Sequence, residues 1–209
     1  MSEILVNTIK KADGTGSLTV PADTGTVLTS ASTLSSSNLS GALPALDGSS
    51  LTGVGVTEVE TWRLTSSFSG PSSPITSNLA KTAYSGTGMT ESSGVFTFPS
   101  TGIWKIDFHA QFRISDNTDR SWVAVVINDT TNNGSSWGTL AIGESFLYTW
   151  VSSTVYMKTM TSGFFTVSDT STDKVRFGTA VEGNSSSVQT DASTGTNYTA
   201  MHFIRLGDA

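Results

Sequence analysis

Residues 102–114, Gly-Ile-Trp-Lys-Ile-Asp-Phe-His-Ala-Gln-Phe-Arg-Ile, alternate apolar and polar side chains with a period of two along the whole stretch. An extended chain turns successive side chains to opposite faces, so Trp104, Ile106, Phe108, Ala110, Phe112 and Ile114 share one face. Lys105, Asp107, His109, Gln111 and Arg113 share the other. The pattern predicts a long antiparallel strand with one side in a core. Further strands are predicted at Gly94–Phe98, Trp122–Ile127, Phe146–Val151, Thr154–Lys158, Gly163–Val167, Lys174–Phe177 and Tyr198–Leu206, with polar turn clusters between them. No helical period stands out. The expected fold is all-β, an antiparallel jelly-roll sandwich of about eight strands in two sheets.

Two of these strands do not alternate. Trp122–Ile127 and Tyr198–Leu206 carry apolar residues on both faces, and a sheet covered on both faces needs something beyond its own core. Loops are one possible cover. Copies of the same domain around a symmetry axis are the other.

The aromatic residues divide the chain. All tryptophans, tyrosines and phenylalanines lie at or after Trp62, so the earlier part lacks the side chains that bury the most area. The expected organisation is an attachment segment at 1–33, a glycine- and leucine-containing stalk at 34–57, and a head at 58–209. Within 1–33, short strands are expected at Ile4–Ile9, Ser17–Val20 and Thr26–Leu28, the first two joined through the turn-forming pair Asp13-Gly14. So small a unit gains order by pairing with copies of itself or with a larger partner, unless it is a loose terminus.

The stalk stretch carries Leu34, Leu39, Leu43, Leu46, Leu51 and Val54 among serines and glycines. Burying each aliphatic side chain gains about 2 kcal/mol, while ordering each of the more numerous backbone units costs about 1–2 kcal/mol. A single strand of this kind stays disordered. Three chains winding together can bring the leucines to a common axis, and a flexible linker is the alternative.

Charge and chemistry exclude several classes. Charged residues make up 13% of the chain and the formal net charge is -6, so there is no basic face for nucleic acid. The absence of cysteine removes disulfides and thiolate metal sites. No apolar run approaches the roughly 20 residues that cross a bilayer, and Met1–Lys11 has the reverse of the charge order of a secretory signal. Assembly in a host cytoplasm is the expectation. Asp107 and His109 share a strand face, with Ser115 and Ser121 as the nearest hydroxyls, but no nucleophile elbow accompanies them. Asp116, Asp119 and Asp129 occupy neighbouring turns without the spacing of a calcium loop. No catalytic residue, metal ligand or cofactor is assigned. The Asn-x-Ser/Thr triplets at Asn38, Asn128, Asn133, Asn184 and Asn197 are what this composition produces by chance.

The run Val95-Phe-Thr-Phe-Pro-Ser-Thr-Gly-Ile-Trp-Lys-Ile-Asp-Phe-His-Ala-Gln-Phe112 resembles the first core motif of the complement-head and tumour-necrosis-factor-like jelly rolls, a Phe-x-x-Pro-x-x-Gly-x-aromatic sequence feeding a long inner strand. Asp173-Lys-Val-Arg-Phe177 is similar to the later Asp-x-Val motif, and Tyr198–Leu206 to the closing strand. That superfamily forms homotrimers, so the resemblance implies a trimer. Its interface is expected to include Tyr198, Met201 and Phe203, with Leu39, Leu43, Leu46 and Leu51 on the stalk axis. Residues 1–30 resemble the opening of tailed-bacteriophage fibres and decoration proteins. NLSGALPALDGSSLTG, at 38–53, resembles a fibre shaft unit in which Leu-[Ser/Thr]-Gly recurs at Leu39 and Leu51. The resemblances imply a non-enzymatic virion protein joined to other virion proteins through 1–33. Its head would bind a host-surface glycan or protein through loops containing Asp116, Asp119, Asn133, Trp137 and Asn184. A capsid decoration protein and a bacterial surface adhesin are the alternatives.

Overall fold

The computed structural model describes residues 8–10, 17–19, 56–114, 120–147 and 154–209. The chain divides into two units, 1–50 and 51–209. In the first, β1 (Thr8–Lys10) pairs antiparallel with β2 (Ser17–Thr19), Thr8 facing Thr19. This is the pairing that the intervening Asp13-Gly14 suggests. The third expected strand and the stalk leucines Leu34, Leu39, Leu43, Leu46 and Leu51 lie outside the described residues.

In the second unit the described strands are β3 (Val59–Leu64), β4 (Phe68–Ser69), β5 (Leu79–Ser85), β6 (Thr90–Ser92), β7 (Val95–Thr97), β8 (Gly102–Ile114), β9 (Arg120–Thr130), β10 (Gly138–Leu147), β11 (Val155–Val167), β12 (Lys174–Val181), β13 (Val188–Thr190) and β14 (Ala200–Gly207). They form two antiparallel sheets. The front sheet runs β4-β13-β8-β14-β3-β5, with β11 also paired to β8, and the back sheet runs β10-β9-β12-β7-β6. The all-β jelly-roll expectation holds.

β8 organises the front sheet. Its thirteen residues alternate buried and half-buried without a break, and β11 and β14 pair along it, β11 over its full length. The six side chains that alternation assigns to the core, Trp104 to Ile114, are at most 1% exposed. They meet Val123, Val125 and Ile127 of β9 and Val175, Phe177 and Val181 of β12 in one cluster. Phe96 is an aromatic hub: the rings of Trp62, Phe177 and Phe203 each lie 5.3 Å from it. Edge-on and tilted contacts of this kind add to the area term.

The core motif acquires a physical reading. Phe96, Phe98 and Trp104 fill the core, the latter two with centroids 5.2 Å apart. Gly102 has φ of +130°, and a Cβ there would stand 2.3 Å from the Gly207 carbonyl oxygen. The glycine thus admits the end of β14 against the start of β8. In the second motif, the 3% exposed Asp173 carboxylate accepts the Ser168 and Asp169 backbone N–H groups at 2.7 and 3.0 Å, closing the turn from β11 into β12.

Three expectations need correction. Met201 and Phe203 are fully buried within the single chain: they point between the sheets and are core residues, not interface residues. The strands expected at Thr154–Lys158 and Gly163–Val167 are one continuous β11. Of the strand expected at Phe146–Val151, 148–151 lie outside the described residues, and Phe146 and Leu147 belong to β10, which begins as early as Gly138. Here the two sheets close together, a Cβ on Gly143 falling 2.1 Å from the Met160 carbonyl oxygen of β11.

Candidate functional site

The outer face of the front sheet is built by the same alternation that fills the core. Because the odd-numbered residues of β8 from Lys105 to Arg113 turn away from the sandwich, each row of the sheet can be read across its strands. One row places Phe164, Lys105, Ile204 and Val59 side by side. The next outward-facing row places Ser162, Asp107, His202 and Thr61 together, and another Met160, His109, Ala200 and Arg63. On β11 the outward residues Tyr156, Met160 and Phe164 are 56%, 69% and 64% exposed. Three large apolar side chains on alternate outward positions of one strand, continued by Ile204 and Val59, form a patch that the single chain leaves uncovered.

At the middle of this face two imidazoles stack. The His109 and His202 rings lie 5.5 Å apart at 30°. His109 Nε2 is 3.0 Å from the Asn197 carbonyl oxygen, and His202 Nδ1 is 3.0 Å from Thr61 Oγ1. Burial pushes the pKa of both histidines down. For His202 the neighbouring His109 adds to the effect, while Asp107 opposes it for both. For Asp107 itself, burial works to raise the carboxyl, but hydrogen bonds from Lys105 and Ser162, with the Lys105 charge, outweigh it and hold the pKa below the usual value. Those two partners, Lys105 Nζ at 2.7 Å and Ser162 Oγ at 2.5 Å, take the Asp107 oxygens. The same-face Asp107 and His109 therefore pair with other groups rather than forming the acid–imidazole hydrogen bond that a nucleophile-activating dyad needs.

Towards the other end of β8 the face turns polar and concave. A cleft of about 530 Å3 is lined by Ser67, Gln111, Arg113, Tyr156, Asp191, Ala192 and Tyr198. The Asp191 carboxylate, 10% exposed, accepts Arg113 Nε at 3.2 Å and Gln111 Nε2 at 3.1 Å. The Asp191 carbonyl oxygen accepts Thr199 Oγ1 at 2.7 Å, and its N–H donates to the Gln111 carbonyl oxygen at 2.8 Å. Tyr198, expected at an interface, is 38% exposed on this cleft.

The expected ligand-binding loops are distributed elsewhere. Asn133 and Trp137 share the β9–β10 connection, and Asn184 ends a short 3-10 turn after β12. Asp116 and Asp119 lie outside the described residues. Trp137 is half-buried rather than open. The Arg176 guanidinium carbon sits 4.2 Å from its ring centre, and Gly134 packs against the indole. One ring face is thus already taken by a cation–π contact, which removes the open platform that sugar stacking requires. Among the described residues, no three His, Cys, Asp or Glu side chains converge as metal ligands. Sequence reasoning missed the Gln111–Arg113–Asp191 network. Its only local signal was the polar face of β8, and the partner residues arrive from about 80 positions away.

No family model and no curated protein matches the chain. Among solved structures, murine APRIL at pH 5.0 is similar at a TM-score of 0.51 and 14% identity, over 71% of this chain and 98% of that one. Eiger TNF from S. frugiperda is similar at a TM-score of 0.53 and 10% identity, over 72% and 93%. These likenesses, at such low identity, show a shared jelly-roll fold.

Proposed function

We propose that the chain is a non-enzymatic structural protein of a bacteriophage virion. In this reading it is a homotrimeric fibre or spike, attached by residues 1–33 and carried on a stalk at 34–57, with the jelly-roll head binding the host surface. The observation that carries self-association is the exposed pair Met160 and Phe164 on β11, continued by Ile204 and Val59 on the neighbouring strands. Apolar area of this kind is stabilised by being removed from water, and three copies around an axis bury it in a closed assembly. The virion assignment is supported by the resemblance of 1–30 and 38–53 to fibre openings and shaft units. The jelly-roll fold by itself carries no function.

Immunogold labelling of purified virions with antibody to the head, together with binding of fluorescent protein to host cells, tests the reading. Labelled projections and saturable cell binding are the expected result. Label spread over the capsid without cell binding would replace the fibre by a decoration protein, and unlabelled virions would overturn the virion role.

A further inference from the structure

The two ends of the front sheet's outer face differ in chemistry. At the Phe164 end the row is Phe164, Lys105, Ile204 and Val59, with a lysine as its only polar member. At the Tyr156 end, Tyr156 stands opposite Arg113, and Gln111, Arg113 and Asp191 form a hydrogen-bonded floor beneath it. The first suits another copy of the chain. The second is built for something small and polar.

Several features narrow the occupant. The volume lies within the range of about 300–1,000 Å3 typical of small-molecule sites. The Arg113 charge is met by the Asp191 carboxylate, so the floor itself is close to neutral, with exposed Lys158, opposite Gln111 on β11, as the cation at its rim. The floor presents donors and acceptors side by side on the planar ends of Gln111, Arg113 and Asp191. Vicinal hydroxyls, each able to donate and accept, match such an array. Tyr156 and Tyr198, 56% and 38% exposed, supply aromatic surface on which the C–H face of a sugar ring can lie, with a phenol group at the edge.

We propose that this cleft binds a neutral saccharide, with Gln111, Arg113 and Asp191 taking its hydroxyls and Tyr156 and Tyr198 its ring faces. The proposal rests on the host-binding reading above for its biological sense, but it locates recognition on the sheet face rather than on the loop around Trp137.

Saturation-transfer NMR on the full chain tests it, with lactose, maltotriose, mannotriose and triacetylchitotriose as neutral probes and sialyllactose as the anionic one. Transfer to the ring C–H protons of at least one neutral probe is expected. Affinity should fall about tenfold or more in both Tyr156→Ala and Gln111→Leu, the scale of one lost contact group. Phe146→Ser, at a 72% exposed site on β10, should titrate like the parent. If near-UV circular dichroism reports that Tyr156→Ala is unfolded, Tyr198→Ala replaces it. Transfer to no neutral probe, transfer to sialyllactose alone, or undiminished binding in the variants overturns the proposal. Because the readout needs no virion and no host cell, its failure is separable from failure of the virion role.

Discussion

Phe164→Ser separates assembly from folding. The side chain is 64% exposed on the outer face of β11, so its removal leaves the core between the sheets intact. A phenylalanine presents on the order of 200 Å2, and covering the exposed share removes about 130 Å2 per copy from water. At about 25 cal/mol per Å2 this is roughly 3 kcal/mol per copy, or about 10 kcal/mol for three. Each 1.4 kcal/mol is about tenfold in an equilibrium constant, so the trimer dissociation constant should rise by about seven orders of magnitude. Sedimentation velocity across a dilution series from high to low micromolar provides the measurement, with near-UV circular dichroism as the check on tertiary packing. The expected outcome is a folded species of lower mass whose proportion grows on dilution. A variant that sediments as the parent does at every concentration would refute burial of this face.

Further expectations follow from other sites. The folded-state pKa of His109 and His202 lies below the ordinary value of 6.5, so the unfolded chain binds more protons just below that pH. Their stabilising effect is complete above about pH 6.5 and is lost as pH falls through the lowered values. With Lys158, Lys105 and Asp107 as charged neighbours, acid should weaken both folding and assembly. A His109→Gln, His202→Gln double variant should flatten the urea midpoint between pH 7 and 5, and an unchanged slope would contradict the coupling. Glu60, 2% exposed, takes the Trp62 indole N–H, the Met89 N–H and Lys81 Nζ. Glu60→Ala strands the two N–H donors, removes the Lys81 ion pair and should cost about 3–4 kcal/mol, a drop of about 1.5–2 M in urea midpoint at a slope of about 2 kcal/mol per M; a shift below half a molar would argue against it. Gly102→Ala should cost about 1–3 kcal/mol through its positive φ, besides the Gly207 clash, visible as a lowered melting temperature; an unaltered melt would count against the close approach.

Legibility in the sequence tracked how faithfully each strand's core face was apolar. β8 was legible to the residue because Trp104 to Ile114 never break the alternation. β3 was not read as a strand because its core-facing residues are Glu60, Trp62 and Leu64, and a buried carboxylate satisfied by distant donors looks polar in the sequence. β11 was split because Thr161-Ser-Gly163 interrupts the apolar run, while Tyr156, Met160 and Phe164 occupy the face that alternation reserves for polar groups. The same inversion marks the exposed apolar positions of β11. The closing strand was read as two-faced, yet composition could not say that Met201 and Phe203 face inward and His202 and Ile204 outward; pairing with β8 decides it. The cleft had no local signature, since Asp191 and Tyr198 reach Gln111 and Arg113 only through the folded path from β13 to β14.

The most direct test is the mass of the intact protein in solution, by light scattering after size exclusion at micromolar concentration. The account predicts a particle of three 21.9 kDa chains. A stable, fully folded particle of one chain, with Phe164 and Met160 left in water, would contradict it.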